Sequence, residues 1–133
     1  MLSDVKFTTW LLNMIMVQNT FHLLSTSKSE VISLMKNMVL LSRKEPGCIS
    51  YEYFEGITDS NQIILLQEWK NADSLQGHYQ TEHMNNFMSK LVHNLEKPII
   101  TRTYFTQEDE TAVDAQKTSE KTSEKSKPQP TIH

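Results

Sequence analysis

Two histidines that stand five residues apart, His78 and His83 in the stretch GHYQTEH, are the first candidates for chemistry. In one continuous helix this separation turns the two side chains about 140° apart, whereas a helical zinc site uses histidines four residues apart. A break in the helix before Thr81 would bring the rings together, but no third ligand is evident in the sequence. We therefore expect no metal ion and interpret both histidines as structural or pocket residues.

The single cysteine, Cys48, is a poor candidate for a nucleophile. It begins a predicted strand, whereas reactive cysteines lie beside a base in an electropositive setting. With three glycines in the chain, there is little room for a phosphate-binding loop, and no nucleophile elbow or dinucleotide motif occurs. A lone cysteine forms no disulfide within its chain, which fits a reducing compartment. We expect a cytoplasmic protein.

The charge balance argues against nucleic acid as a partner, and the short apolar runs argue against a membrane-spanning helix, so neither nucleic acid nor a membrane is expected as a partner. The chain has 13 basic and 16 acidic residues and a net charge of −3, whereas a nucleic-acid-binding protein usually carries a basic patch. The longest apolar runs, such as MVLL, cover a few residues only, far short of the roughly 20 that a membrane-spanning helix needs.

The chain divides into three zones. Residues 1–13 are expected to form an N-terminal extension, with Met14 as a natural start of the domain. Residues 14–105 carry the apolar periodicity of one domain, in agreement with the total length of 133 residues. Residues 106–133 contain no aromatic residue, so burial cannot offset the entropy lost on ordering them. We predict a disordered polar C-terminal tail there.

Within the domain, the period of the apolar residues switches between that of strands and that of helices. A capping-box pair, Ser27 and Glu30, predicts the start of the first helix, and the EPG stretch at 45–47 ends it. Asn71 and Thr81 are predicted N-caps of two further helical pieces. The predicted strands are residues 14–24, 48–54 (with Ile49, Tyr51 and Tyr53 on one face), 62–69 and 99–105.

This order, β-α-β-β-α-β, predicts an α+β fold of the ferredoxin-like type: an antiparallel sheet with helices on one face. The other face would then be exposed and partly apolar. Because such a surface is normally covered by a partner, we expect a homodimer.

Polar and aromatic residues on predicted core positions are candidates for lining a pocket. Asn19 lies on the apolar face of the first strand, where a buried amide is costly unless it is hydrogen-bonded. It therefore either satisfies local backbone or lines a pocket. Trp69 and Tyr51 are open to two interpretations as well, plain core or a flat wall against a ligand.

The chain resembles the antibiotic biosynthesis monooxygenase family over residues 14–105. The features that carry the resemblance are EPGC at 45–48, the alternating strand with Tyr51 and Glu52, the Glu68–Trp69 pair, and the H-x-x-T-x-H of His78, Thr81 and His83. The resemblance implies a dimeric α/β barrel, in which two sheets pack face to face, and a pocket between sheet and helices. Enzymes of this family oxygenate phenolic polyketides or quinols without metal or flavin, while other members degrade haem or rearrange small signalling sugars.

Haem degradation is disfavoured by two departures. Haem-degrading relatives use an asparagine on the first strand, which Asn19 matches, together with a tryptophan and a histidine on the second helical segment. Here His78 holds the place of that tryptophan, and the place of that histidine falls near Met88.

The resemblance therefore implies a cofactor-independent monooxygenase that acts on a small aromatic substrate, a quinol or a polyketide-like phenol. Such an enzyme needs an apolar pocket, a base and donors that hold the substrate oxygens. The expected catalytic residues are His78 as base or oxygen anchor, Asn19 as hydrogen-bond donor and Trp69 as a flat wall; the expected substrate contacts are Tyr51, His83, Phe21 and Phe87.

Two alternatives remain open on the sequence. The chain could be a non-catalytic dimeric binding or stress-associated module, in which Met16, Met84, Phe87 and Trp69 fill the space between sheet and helices. It could also be an isomerase of a small signalling molecule, which would use the same pocket.

Overall fold

The computed structural model describes residues 14–106, and its elements follow the predicted order. They are β1 (Met14–His22), α1 (Lys28–Ser42), β2 (Cys48–Glu55), β3 (Gln62–Trp69), α2 (Ala72–Tyr79), α3 (Glu82–Leu91) and β4 (Ile100–Thr106). Single 3-10 turns lie before α1, at Ser25–Ser27, and after α3, at Val92–Asn94. The predicted extension at 1–13 and the predicted tail beyond Thr106 lie outside the described residues.

The four strands form one antiparallel sheet in the order β2-β3-β1-β4. This is the ferredoxin-like order, so the predicted fold class is confirmed. As predicted, β2 and β3 form an antiparallel hairpin, and β3 is an inner strand because it pairs with β1 on its other side.

Strict alternation sends one face of the inner strands into the core. Every second residue of β3 from Ile63 to Trp69 is buried, and Val17 and Phe21 on β1 are buried beside them. The helices cover this face with Val31, Met35 and Met38 of α1 and with Phe87 and Leu91 of α3. The apolar periods of strands and helices thus meet in one core, which holds the inner residues of β1 and β3 in fixed positions.

The capping box predicted at the start of α1 is wrong. Ser27 is the N-cap residue, but its side chain makes no capping hydrogen bond. Its backbone, with φ −119° and ψ 14°, departs from the extended conformation that a capping side chain normally requires. The 3-10 turn at Ser25–Ser27 leads into the helix instead.

The predicted face of β2 is also partly wrong. Tyr51 is buried, but Ile49 is 49% exposed. The register shifts between Cys48, which pairs with Trp69, and Ser50, which pairs with Glu68. Because one residue more lies on β2 than on β3 there, the alternation breaks and Ile49 leaves the core face.

The EPG turn brings the end of α1 close to the start of α2. Gly47 has φ +83°, in the left-handed region that glycine adopts without strain. Its carbonyl oxygen accepts a hydrogen bond from the amide of Lys70 at 2.8 Å. An added Cβ at Gly47 would overlap the side chain of Ser74 in α2. The turn is therefore tightly packed, and Glu45 is held beside α2.

Among the helices of residues 14–106, none is long and apolar enough to cross a membrane.

Candidate functional site

A cavity of about 210 Å³ lies between the inner face of the sheet and the helices α2 and α3. All four strands or their flanking residues contribute to its wall. The lining side chains are Asn19, Phe21, Tyr51, Leu65, Gln67, Tyr79, Met84, Phe87, Met88, Ile99 and Thr101. Most of this wall is aromatic or aliphatic, and three hydrogen-bonded side chains, Asn19, Gln67 and Thr101, make a polar patch in it.

Four of the predicted site residues line this cavity: Asn19, Phe21, Tyr51 and Phe87. The filling expected for a closed, non-catalytic core is not seen. Met84 and Phe87 border the open space rather than occupy it, and Met16 lies on the opposite face of the sheet from Val17 and the cavity.

The other three predicted site residues, Trp69, His78 and His83, do not line the cavity. Trp69 and His78 are fully buried, and their rings are in contact, with centroids 4.8 Å apart and planes tilted by 34°. The ring of His78 also lies 5.4 Å from that of Tyr51, which does border the cavity. His78 therefore stands one aromatic layer behind the cavity wall.

Trp69 reaches the cavity through a chain of hydrogen bonds. Its Nε1 donates to Oε1 of Gln67 at 2.7 Å, and Nε2 of Gln67 donates to Oδ1 of Asn19 at 2.9 Å. Nδ2 of Asn19 then donates to Oγ1 of Thr101, also at 2.9 Å. The amide of Asn19 is thus bonded to side chains, and it lines the cavity as well.

Sequence reasoning gave no role to Gln67, although the signal was present. Gln67 is 2% exposed and lies on the inner face of an otherwise apolar strand. A buried amide at such a position needs partners, which is the same argument that singled out Asn19.

The break between α2 and α3 brings His78 and His83 together. α2 ends at Tyr79, and Thr81 caps α3, because its side-chain oxygen accepts a hydrogen bond from the amide of Met84. Asn71 likewise caps α2, so both predicted caps are confirmed. The separation that would point the histidines apart in one helix places their ring centroids 6.4 Å apart here.

Both histidines contact the same oxygen of Glu45. Nδ1 of His78 lies 3.0 Å from Oε2 of Glu45, and Nε2 of His83 lies 2.6 Å from it. A carboxylate only accepts, so each of these nitrogens carries a hydrogen. In neutral His78 the proton is then on Nδ1, and Nε2 holds a lone pair. That Nε2 is buried and has no hydrogen-bond partner in the described part of the chain.

Burial governs the protonation of these groups. It lowers the pKa of His78 below its ordinary value of 6.5, although the neighbouring Glu45 opposes this shift. Burial also raises the pKa of Tyr51 to about 12 and shifts the pKa of Tyr53 upward. At neutral pH the imidazole of His78 is therefore neutral, and the phenols of Tyr51 and Tyr53 are protonated.

Glu45, His78 and His83 are also a possible set of metal ligands, with one ligand atom from each within 4.8 Å of the others. Two histidines and one carboxylate suit a divalent transition metal. The expectation of no metal assumed that no third ligand was available, and Glu45 supplies one. In the sequence, Glu45 was interpreted only as part of a helix-ending turn; its carboxylate was the overlooked signal.

Residues 14–90 match the model of the antibiotic biosynthesis monooxygenase family. This segment is more than half of the 133-residue chain, and the chain belongs to this family.

The chain is also similar in sequence to two named proteins. The uncharacterized protein sll1783 of Synechocystis sp. is 36% identical over 77 residues, 58% of this chain and 52% of the relative, so this chain spans about half the length of that relative. A Bacillus subtilis protein named "Putative monooxygenase YcnE" is 28% identical over 86 residues, 65% of this chain and 90% of the relative.

Solved structures of similar proteins have the same fold. Rv0793 from Mycobacterium tuberculosis superposes with a TM-score of 0.68 at 20% identity, over 72% of this chain and 97% of its own. A conserved protein from Methanosarcina mazei Go1 gives 0.70 at 23% identity, over 74% of this chain and 97% of its own. At these identities the likeness concerns the fold alone.

Proposed function

We propose that the chain is a monooxygenase that acts on a small aromatic compound with one ring, a quinol or a related phenol. The observation that carries this proposal is the cavity, whose apolar walls bear a patch of three hydrogen-bonded polar groups. A cavity of about 150 Å³ is known to admit benzene. A volume of about 210 Å³ thus suits one substituted ring better than the fused rings of a polyketide.

The reaction balances without a separate reductant. A quinol takes up one molecule of oxygen, one oxygen atom enters the ring, and the other leaves as water with two hydrogens from the substrate. Deprotonation of the quinol comes first, because the anion can pass an electron to oxygen and the neutral phenol cannot do so readily. The protein would supply a base, donors for the resulting anion and a cavity poor in water. On this proposal the enzyme needs no cofactor.

His78 is the proposed base, through the lone pair of Nε2, and Glu45 holds the ring in the tautomer that leaves this nitrogen free. In the present conformation the cavity wall separates His78 from a substrate bound in the cavity. Tyr79, the next residue in the chain, lines the cavity, is 40% exposed and has its ring 5.8 Å from that of His78. We propose that the substrate displaces Tyr79 to reach His78.

The proposed working unit is a homodimer in which two sheets pack face to face as an α/β barrel. Three side chains support it: Phe54, Ile100 and Tyr104 are 51%, 46% and 38% exposed, and the strand register places them on the sheet face away from the helices. A partly apolar face of this kind is typical of an interface. The cytoplasmic location stays a prediction.

A binding module without catalysis is the second candidate, and the burial of His78 behind the cavity wall favours it. In that case the cavity binds an aromatic ligand, and the hydrogen-bonded cluster of Glu45, His78 and His83 has a structural role only.

Oxygen uptake by the full-length protein tests the proposed function. We expect uptake with at least one compound in a panel of single-ring quinols and dihydroxy-aromatics. The variant His78→Ala should lose roughly a hundredfold or more, the usual contribution of a general base. His93→Ala, which removes an exposed histidine outside the site, should match the unmodified protein. If no compound gives uptake above that of His78→Ala, the catalytic proposal is wrong.

A further inference from the structure

Trp69 fixes the direction of the hydrogen-bond chain at the cavity. An indole N–H can only donate, so the amide oxygen of Gln67 must face it, as observed at 2.7 Å. If the Gln67 amide were turned over, two donors would face each other at a residue that is 2% exposed. Leaving donors unsatisfied in such a place is costly. The orientation of Gln67 therefore follows from the chemistry of its neighbour.

The same reasoning orders the next two side chains. Because the NH₂ group of Gln67 faces Asn19, the Asn19 oxygen accepts and its NH₂ group donates to the Thr101 hydroxyl. Both amide oxygens have then accepted a hydrogen bond, whereas each NH₂ group has used one of its two hydrogens. The Thr101 hydroxyl accepts from Asn19, which leaves its own hydrogen to be donated. Three unused hydrogens remain, one on each of three residues that line the cavity.

We propose that Asn19, Gln67 and Thr101 form a donor wall, which selects aromatic ligands carrying an acceptor oxygen, a phenolate or a quinone carbonyl. Ligands without an acceptor oxygen, such as aniline, are disfavoured there. Gln67 and Thr101 are thus specificity-determining residues, and Trp69 is a positioning residue that acts through Gln67. This inference rests on the proposed function only in taking the cavity as the ligand site, and it requires no turnover.

The pKa of bound 4-nitrophenol measures the preference directly, because phenol and phenolate differ in visible absorbance. With the full-length protein, we expect the bound pKa to lie about one unit or more below the free value, equivalent to tenfold tighter binding of the phenolate. Thr101→Val and Gln67→Met should each reduce this shift. Thr103→Val, on the same strand but outside the cavity lining, should leave it unchanged.

Three further comparisons separate the donor wall from other causes. Trp69→Phe removes the donor that orients Gln67 without removing a lining residue, and it should weaken the preference for the phenolate. His78→Ala should keep the shift, because the wall acts independently of the base. Aniline should displace the probe at least tenfold less effectively than phenol does. Circular dichroism checks that each variant folds, and the exposed Thr101 still decides the matter if the buried Gln67 or Trp69 cannot be replaced.

Several results would overturn the donor wall. They are no binding of 4-nitrophenol, an unchanged or raised pKa on binding, the same shift in Thr101→Val as in the unmodified protein, or toluene, which has no acceptor oxygen, binding as tightly as the phenolate. A shift lost in His78→Ala alone would assign the effect to the base and reject the wall, while leaving the proposed function intact. The expected pKa shift without oxygen uptake on any quinol would support the donor wall and reject the proposed monooxygenase function.

Discussion

Glu45 organises the histidines through a single carboxylate oxygen, which accepts a hydrogen bond from each ring. Its contact with His78 fixes the proton on Nδ1, and the lone pair at Nε2 follows from that contact. Sequence spacing could not show this, because it requires the turn after α1 to lie against the break between α2 and α3. Asn19 and Tyr51, by contrast, could be placed on the inner face of the sheet from strand alternation alone.

Replacing Glu45 by glutamine should lower the pKa of His78 further. Burial already lowers this pKa, and the carboxylate is the group that opposes the shift. Without its charge, burial and the neighbouring His83, which both lower the pKa of His78, are no longer opposed by a carboxylate. Titration of the histidine ring signals by NMR from pH 8 to 4 measures the change. Glu96→Gln, at an exposed position, is the control and should leave the His78 titration unaltered. A raised pKa for His78 in Glu45→Gln would contradict this account of the cluster.

His78 should also make the stability of the protein depend on pH. Its folded-state pKa is below 6.5, so the unfolded chain binds a proton that the folded chain does not. The neutral ring therefore contributes fully above pH 6.5, and this contribution is lost as the pH falls from there through the folded-state pKa. Denaturant unfolding at pH 7.5 and pH 5.5 should show a smaller loss for His78→Gln than for the unmodified protein. An equal loss in both would refute the assignment, and His93→Gln should behave like the unmodified protein.

At the scale of elements, two breaks between helices and their neighbours determine where the site residues meet: the EPG turn after α1 and the break before Thr81, between α2 and α3. The sequence predicted the second break, since Thr81 is a good cap, and the cap is present. It did not predict that α1 starts from a 3-10 turn, nor the extra residue near Ile49 in β2. The extra residue depends on how β2 pairs with β3, which local propensity does not encode.

Replacing Gly47 in the EPG turn and Gly77 in α2 by alanine should change the stability of the fold in opposite directions. Gly47 has φ +83°, and a Cβ there would overlap Ser74, so Gly47→Ala should destabilise the fold by about 2 kcal/mol or more. Gly77 lies inside α2 with nothing within 4 Å of an added Cβ, so Gly77→Ala should stabilise it by roughly 0.5–1 kcal/mol. Chemical denaturation of the two variants measures both changes, and equal effects of the same sign would contradict the packing described for the EPG turn.

At the scale of the whole molecule, the order of the elements and the core could be derived from the periods of the apolar residues, and that order predicts the ferredoxin-like sheet. The cavity could not, because its volume depends on how far Met84 and Phe87 extend into the space, which no periodicity reports. The cavity and the family assignment together favour the proposed enzyme over a non-catalytic binding module.

The proposed dimer should appear in solution as a particle of twice the 15.4 kDa chain mass. Size-exclusion chromatography with light scattering measures this directly. Ile64→Lys places a charge on the inner strand β3, on the sheet face away from the helices, and should shift the protein towards monomer. Ile57→Lys changes a residue that is 99% exposed in the hairpin loop and should leave the mass unchanged. A monomeric unmodified protein would contradict the barrel arrangement.

The central claim is that the cavity oxygenates a single-ring quinol, and labelling with ¹⁸O₂ tests it most directly. Each quinol of the panel is incubated with the protein under ¹⁸O₂, and the product mass is recorded. The account predicts one ¹⁸O atom in the product, one molecule of labelled water for each product formed, and roughly a hundredfold less labelled product from a His78→Ala control in the same time. A product of unchanged mass would indicate an isomerase, and the absence of any product across the panel would indicate a binding module; either result would contradict the claim.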